Sequence, residues 1–254
     1  MPRRTDHPDT HELIAGRRPV LEALAAGQRV ERVILAEGVR STGPIAEIRK
    51  RATELSIPVK TMPRKELERL APDLNHQGVV AEAGRFRYAS FESLFQAGER
   101  LLLFLDGVTD PHNLGALLRS ADGAGFSGVV IPTRRSAAVT PTVRKVAAGA
   151  AEVVPVARVA SLGTALEQAK RNGFWVVGLD GKATEDLWSS DLLEAPLALV
   201  LGAEGRGISQ GIRGRCDGFV RIPSVGALAS LNVSVAGALA MFELARRRSA
   251  SDTL

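Results

Sequence analysis

Six short apolar runs, at residues 101–105, 128–131, 153–156, 174–179, 197–201 and 219–222, recur along the latter part of the chain. Helical segments near 114–124, 143–150, 162–171 and 233–248 lie among them. A strand that reads as an unbroken apolar run is buried on both faces, and such strands alternating with helices form a mostly parallel sheet covered on both sides. The pattern predicts an α/β fold. It also says where to look for chemistry, because ligands of open parallel sheets bind in loops beyond the carboxyl ends of the strands.

The front of the chain has a different rhythm. Residues 19–24 have helical character, 30–35 the β-branched content of a strand, and 44–55 a helix with Ile45, Ile48, Ala52 and Leu55 on one face. A strand at 58–61, a helix at 63–70 and a strand at 78–81 follow. These make a small α/β module over residues 11–84, after a polar tail at 1–10 that is expected to be disordered. Periodicity is lost after Gly84, so residues 85–98 are expected to link the module to a second domain at 99–254.

Charge separates the two parts. Lys plus Arg number 33 against 28 Asp plus Glu, a net of +5. Residues 1–90 carry 16 cations and 12 acids, residues 91–254 carry 17 and 16. An Arg-rich front beside a nearly neutral remainder fits a polyanion-binding module, and a solvated surface fits the same numbers. One cysteine and four histidines, without metal-ligand spacing, exclude a structural zinc site. The first ten residues hold no apolar core of a secretory signal. The uncharged stretch 222–242 contains Pro223, Ser224, Ser230, Asn232 and Ser234, poor material for a bilayer span, and is read as buried interior. The chain is expected to be cytoplasmic, with no membrane and no metal.

Three loops carry unusual polar groups. The first runs from Asp106 to Asp122 and holds Asn113 where a helix should start, with Arg119 six residues on. On spacing alone, Asp110 or Asn113 serves equally well as a helix cap and Arg119 as a surface cation. The second, Gly202-Ala-Glu-Gly-Arg-Gly207, is neither G-x-G-x-x-G nor a phosphate loop, so a dinucleotide or triphosphate site is unsupported. A tight turn would not explain Glu204 at its centre. The third runs from Ile222 to Ala236 and sets Ser230, Asn232 and Ser234 at a helix start, where capping accounts for one of the three. Beside the second loop, Gly207-Ile-Ser-Gln-Gly211 matches the literal G-x-S-x-G of a hydrolase elbow. No histidine follows residue 112 to complete a triad, so the hydrolase reading fails.

Taken in order, Asn113-Leu-Gly-Ala-Leu-Leu-Arg-Ser-Ala121, Leu199-Val-Leu-Gly-Ala-Glu-Gly-Arg-Gly207 and Ile222-Pro-Ser…Ser230-Leu-Asn-Val-Ser-Val-Ala236 resemble the three motifs of the SpoU (TrmH) family of RNA ribose 2′-O-methyltransferases. The resemblance covers residues 101–248. The string Leu105-Asp-Gly-Val-Thr-Asp-Pro-His-Asn113 is similar to the branch that methylates a guanosine in the peptidyl-transferase region of 23S rRNA. Gly16-Arg-Arg-Pro-Val-Leu-Glu-Ala-Leu24 and His76-Gln-Gly-Val79 resemble that branch's small RNA substrate-binding domain.

The resemblance implies a small N-terminal α/β RNA-binding domain and a C-terminal SPOUT-type α/β domain with a deep trefoil knot, assembled as a homodimer with the active site at the subunit interface. It implies S-adenosylmethionine as cofactor, held by Gly202, Ile222 and Leu231. It also implies that Asn113, Arg119, Glu204, Ser230 and Asn232 are the polar active-site residues. One departure is the segment 224–229, more apolar and poorer in glycine than the family pattern. The alternatives are the same reaction on tRNA or another rRNA ribose, which the front module argues against, and a catalytically silent RNA-binding protein, against which the intact polar residues argue.

Overall fold

The structure, a computed structural model, describes residues 12–25, 29–72, 74–84, 86–96, 101–224 and 231–251. The expected tail at 1–10, Ser230 and residues 225–229 of the divergent segment lie outside the described residues. The chain divides into two compact units, Met1–Arg87 and Tyr88–Leu254.

The first unit runs β1 (Glu12–Ala15), α1 (Arg17–Ala25), β2 (Val30–Ala36), α2 (Pro44–Glu54), β3 (Val59–Met62), α3 (Arg64–Leu70) and β4 (Val79–Ala83). Its sheet order is β1-β4-β2-β3, with β4 antiparallel to both neighbours and β2 parallel to β3. Alternate side chains of β2 point to opposite faces. Val33 and Leu35 pack with Val20, Leu24, Ile45 and Ile48 of α1 and α2, whereas Ile34 and Ala36 pack against Leu67 and Ala71. Both faces are therefore covered. The sequence reading does not foresee β1; its four residues are too few to show a period, and pairing with β4 specifies it.

The second unit runs β5 (Leu101–Asp106), α4 (Pro111–Gly123), β6 (Gly128–Pro132), α5 (Pro141–Ala147), α6 (Ala150–Val153), β7 (Val156–Val159), α7 (Leu162–Arg171), β8 (Trp175–Leu179), β9 (Glu185–Asp186), β10 (Leu197–Gly202), α8 (Gln210–Arg213), β11 (Gly218–Arg221) and α9 (Val233–Ser251). Every pairing in its seven-stranded sheet is parallel, in the order β7-β6-β5-β10-β8-β11-β9. This is the α/β architecture that the alternation of apolar runs and helices predicts. One face of the sheet, with Leu102, Phe104, Val130, Val176 and Val200, packs against Leu162, Leu166 and Ala169 of α7.

Three local expectations are corrected. The helix expected at 143–150 ends at Ala147, because Ala148 and Gly149 adopt left-handed φ values of 51° and 100°. The strand expected at 153–156 starts only at Val156, residues 150–153 forming α6 instead. The stretch 222–242 is not all interior. On α9, Gly237, Ala240, Met241 and Leu244 turn inward, while Val235, Leu239 and Phe242, and Leu231 just before the helix, are 39–51% exposed. A Cβ on Gly237 would meet Leu117 Cδ2 at 2.5 Å and Leu201 Cδ1 at 2.6 Å, so the helix lies directly on β10 and α4 through its smallest residue. Among the described residues, no helix is long and apolar enough to cross a membrane.

The start of the second unit, ahead of β5, also packs. Phe91 and Leu94 are buried in the same core as Leu102 and Phe104, with the Phe91 and Phe104 rings edge-on at 6.0 Å.

Candidate active site

Parallel strands deliver the loops after β5, β6, β8, β10 and β11 to one edge of the second sheet, its carboxyl edge. Two of the three unusual loops begin at the ends of β5 and β10, adjacent in the sheet, and the third leaves β11.

The start of α4 settles which residue caps it. Asp110 is the cap, its carboxylate accepting from His112 N at 2.8 Å, and Pro111 occupies the first turn. Asn113 is thereby released from capping. It is buried, 8% exposed, and turns its side chain toward the other two loops. Asn113 Nδ2 donates to Glu204 Oε2 at 3.3 Å, and Asn232 Nδ2 donates to Asn113 Oδ1 at 3.1 Å.

Asn232 does two things at once. Its Oδ1 accepts from Ser234 N at 2.9 Å and Ser234 Oγ at 2.6 Å, holding the first turn of α9, while its Nδ2 reaches Asn113. A side-chain amide has an acceptor and a donor, so capping uses one and leaves the other free. Capping and a hydrogen bond to another of the three loops therefore coexist at this residue.

Gly202 closes the second loop. A Cβ there would lie 2.0 Å from the Gly207 carbonyl carbon and 2.2 Å from Ile208 N, so no side chain fits. Ala203 and Gly207 exchange backbone hydrogen bonds at 3.1 and 2.7 Å, leaving residues 204–206 as an exposed tip. Asp106, the last residue of β5, accepts from Ser209 N at 2.7 Å and ties this loop to the first. Sequence reasoning gave Asp106 no role, although it is the polar residue that ends an apolar strand. Ser209, the serine of the false hydrolase elbow, stands at the start of α8 in that tether.

The structure thus brings Asn113, Glu204 and Asn232 into one hydrogen-bonded chain. Leu231, 45% exposed, precedes Asn232, and half-buried Ile222 follows β11 at the same edge. Arg119 is not in the chain. It is exposed on α4 and makes no hydrogen bond or ion pair with a described residue. Arg119 and Gly123 share a helix face, and Gly123 lies against Phe242 of α9, where a Cβ would meet Phe242 Cζ at 3.1 Å. The lone thiol, Cys216, is pushed up to about 11 by burial, which makes it a poor nucleophile.

Comparison with known proteins agrees with this geometry. Residues 100–242 match the model of the SpoU rRNA Methylase family, and residues 13–89 that of the RNA 2′-O ribose methyltransferase substrate binding domain. A Staphylococcus haemolyticus protein placed in the TrmH family of tRNA/rRNA methyltransferases is 40% identical over 241 residues, 93% of this chain and 96% of the relative. The SpoU methyltransferase AviRb from Streptomyces viridochromogenes matches with a TM-score of 0.71 and 25% identity, over 95% of this chain and 91% of that one. It has also been crystallised in complex with AdoMet, a structure matching with a TM-score of 0.69. A TrmH/SpoU tRNA modifying enzyme from A. aeolicus, 25% identical with a TM-score of 0.55, covers 64% of this chain and 84% of its own.

Proposed function

The chain belongs to the SpoU rRNA methylase family, and on that premise we propose that it transfers a methyl group from S-adenosylmethionine to the 2′-hydroxyl of a guanosine ribose in the peptidyl-transferase region of 23S rRNA. The single observation that carries the reading is the Asn232–Asn113–Glu204 chain, which joins the three family motifs at one edge.

The donor supplies an activated methyl group on a sulfonium. Its site fits the residues present: Gly202 has no side chain, and Ile222 and Leu231 offer apolar surface and backbone groups at the carboxyl edge. Glu204 places a negative charge at that edge, suited to a cationic ligand. The two asparagine amides hold Glu204 in one orientation, and such positioning is worth much of a transfer barrier. The ribose hydroxyl is a poor nucleophile and needs its developing charge stabilised. Arg119 suits that task or an adjacent phosphate better than proton removal, because a guanidinium stays protonated in proteins.

Several features support the finer parts of the reading. The substrate-binding match at residues 13–89 supports an rRNA target, as does the A. aeolicus tRNA modifying enzyme's covering only 64% of the chain. The exposed stripe of Leu231, Val235, Leu239 and Phe242 supports a homodimer through α9. Arg119 borders that stripe through Gly123, which supports a site completed at the subunit boundary. A trefoil knot at the C-terminal end of the second domain and a cytoplasmic location belong to the same reading; family membership supports both.

Mapping 2′-O-methyl groups in rRNA of a deletion strain tests it. Loss of one guanosine modification in 23S rRNA, restored by the wild-type chain, is expected. Loss of a tRNA modification instead would replace the substrate, and an unchanged RNA would overturn the reading.

A further inference from the structure

Arg119 on α4, Arg158 on β7 and Arg171 at the end of α7 are exposed and make no ion pair with a described residue, but most such cations of the second unit gather at one edge of the sheet. Several others are neutralised locally, as Arg144 is by Glu152 at 2.7 Å and Lys170 by Asp217 at 2.6 Å. Five exposed ones, Arg134, Arg135, Lys182, Arg206 and Arg221, make no ion pair with a described residue. All five stand at the carboxyl ends of β6, β8, β10 and β11 or in the loops that follow. The described acids of this edge make no ion pair with them: Glu204, two residues before Arg206, accepts from Asn113, and Asp186 accepts from Trp188 N. Asp106 holds Ser209 N, Asp110 caps α4, and Asp180 pairs with Arg213.

Arg134 and Arg135 are the best-defined pair. Their loop is pinned on one side by Ala137 N donating to Val108 O at 2.9 Å, and Val108 belongs to the loop that leads to Asn113. On the other side, Thr133 N donates to Val159 O at 2.8 Å, and Val139 N donates to Tyr88 Oη at 2.9 Å. At the tip, Arg135 has a left-handed φ of 59°. A non-glycine residue there is strained and persists only where its surroundings impose it. A rigid loop holding two unpaired guanidiniums in solvent is a phosphate-binding arrangement. Strands β6 and β10 flank β5 and lie two strand spacings, roughly 10 Å, apart, so the Arg206 loop leaves the sheet on the other side of the Asn113 loop. One RNA strand can touch both sides.

We propose that Arg134 and Arg135, with Arg206 opposite, bind backbone phosphates on either side of the target ribose, giving the second unit an RNA-binding site independent of the front module. The proposal rests on the RNA methyltransferase reading.

Binding of a fluorescein-labelled RNA hairpin to the full chain, followed by anisotropy across a potassium chloride series, tests it. Each phosphate contact contributes about 0.7–0.9 to the slope of log affinity against log salt. The double variant Arg134→Ala/Arg135→Ala should flatten the slope by about 1.5 and bind S-adenosylmethionine as the wild type does by calorimetry, which also reports folding. The double lysine variant should keep most of the slope, because the charge remains. Arg171→Ala, removing an unpaired cation at the opposite end of the sheet, should leave it unchanged. An alanine variant with wild-type affinity and slope, beside a wild type that methylates rRNA, would overturn the rim and leave the methyltransferase reading standing. A wild type that transfers no methyl group to any RNA would overturn both.

Discussion

Asn232 donates to Asn113 at 3.1 Å, joining residues 119 apart in sequence. The direction of this bond decides the next one. With its Oδ1 occupied by Asn232, Asn113 must turn its Nδ2 outward, and that is the group that meets Glu204. A carboxylate facing an amide oxygen would be repelled, so Asn232 sets the orientation of Glu204 through Asn113.

Asn232→Asp separates this role from helix capping. Aspartate caps a helix as well as asparagine does, so the folding stability should stay within about 0.5 kcal/mol of wild type. It cannot donate to Asn113, whose amide would rotate to donate to it and present oxygen to Glu204. Methyl transfer should fall about a hundredfold, the cost of losing one positioned polar group in an active site. Thermal melts and tritium transfer to RNA check the two halves. Equal losses in both would make Asn232 a cap and nothing more.

The loops that hold these three residues were legible, because apolar periodicity locates the strands and helices that flank them, whereas their role was implied only by the resemblance to the family motifs. The bond direction was not legible, since it depends on Asp110 taking the capping role that Asn113 could have filled. Helix α7 is found end to end, with Ser161 capping it and apolar residues at helical spacing. Where two left-handed residues break α5 from α6, periodicity runs straight through. The exposure of Leu239 and Phe242 was illegible for another reason: an apolar stripe awaiting a partner has the same composition as one packed in a core.

That stripe predicts the assembly. Leu239 is 39% exposed and Val235 49%, on the face of α9 turned away from Gly237. Leu239→Glu would bury a charge in a dimer but leave it solvated in a monomer, where a surface change costs at most about 0.5 kcal/mol. Sedimentation at micromolar concentration should show the wild type as a dimer and the variant as a monomer with a wild-type melt. A monomeric wild type would remove α9 as an interface.

Acid stability should depend on Glu243. This buried carboxylate of α9 is lowered from 4.5 to about 2 by hydrogen bonds from Arg246 and Arg247, and Arg247 also donates to Leu187 O and Ser190 O at 2.8 and 2.6 Å. A carboxylate depressed in the folded state stabilises it fully above its unfolded value and loses that contribution as pH falls through the folded one. Stability should therefore drop between about pH 4.5 and 2. Glu243→Gln should lower the neutral-pH midpoint and flatten the decline across that window. Parallel melting curves for variant and wild type would show that the cluster does not anchor α9.

Arg119→Ala should remove methyl transfer while leaving donor affinity nearly unchanged. Arg119 lies on the exposed face of α4, outside the Asn232–Asn113–Glu204 chain, and no described residue pairs with it. The residues proposed to hold the donor, Gly202, Ile222 and Leu231, belong to other loops. A guanidinium near a sulfonium would also be repelled unless a carboxylate stood between, which favours placing Arg119 on the RNA side. Losing a group that stabilises charge in the transition state costs on the order of 3–4 kcal/mol, a few hundredfold or more in rate. Arg119→Lys should restore activity only in part, because ammonium keeps the charge and loses the planar fork. Single-turnover transfer and calorimetry with S-adenosylmethionine separate the outcomes. Normal turnover in the alanine variant would leave Arg119 a solvated cation, and a parallel loss of donor binding would move it to the cofactor side.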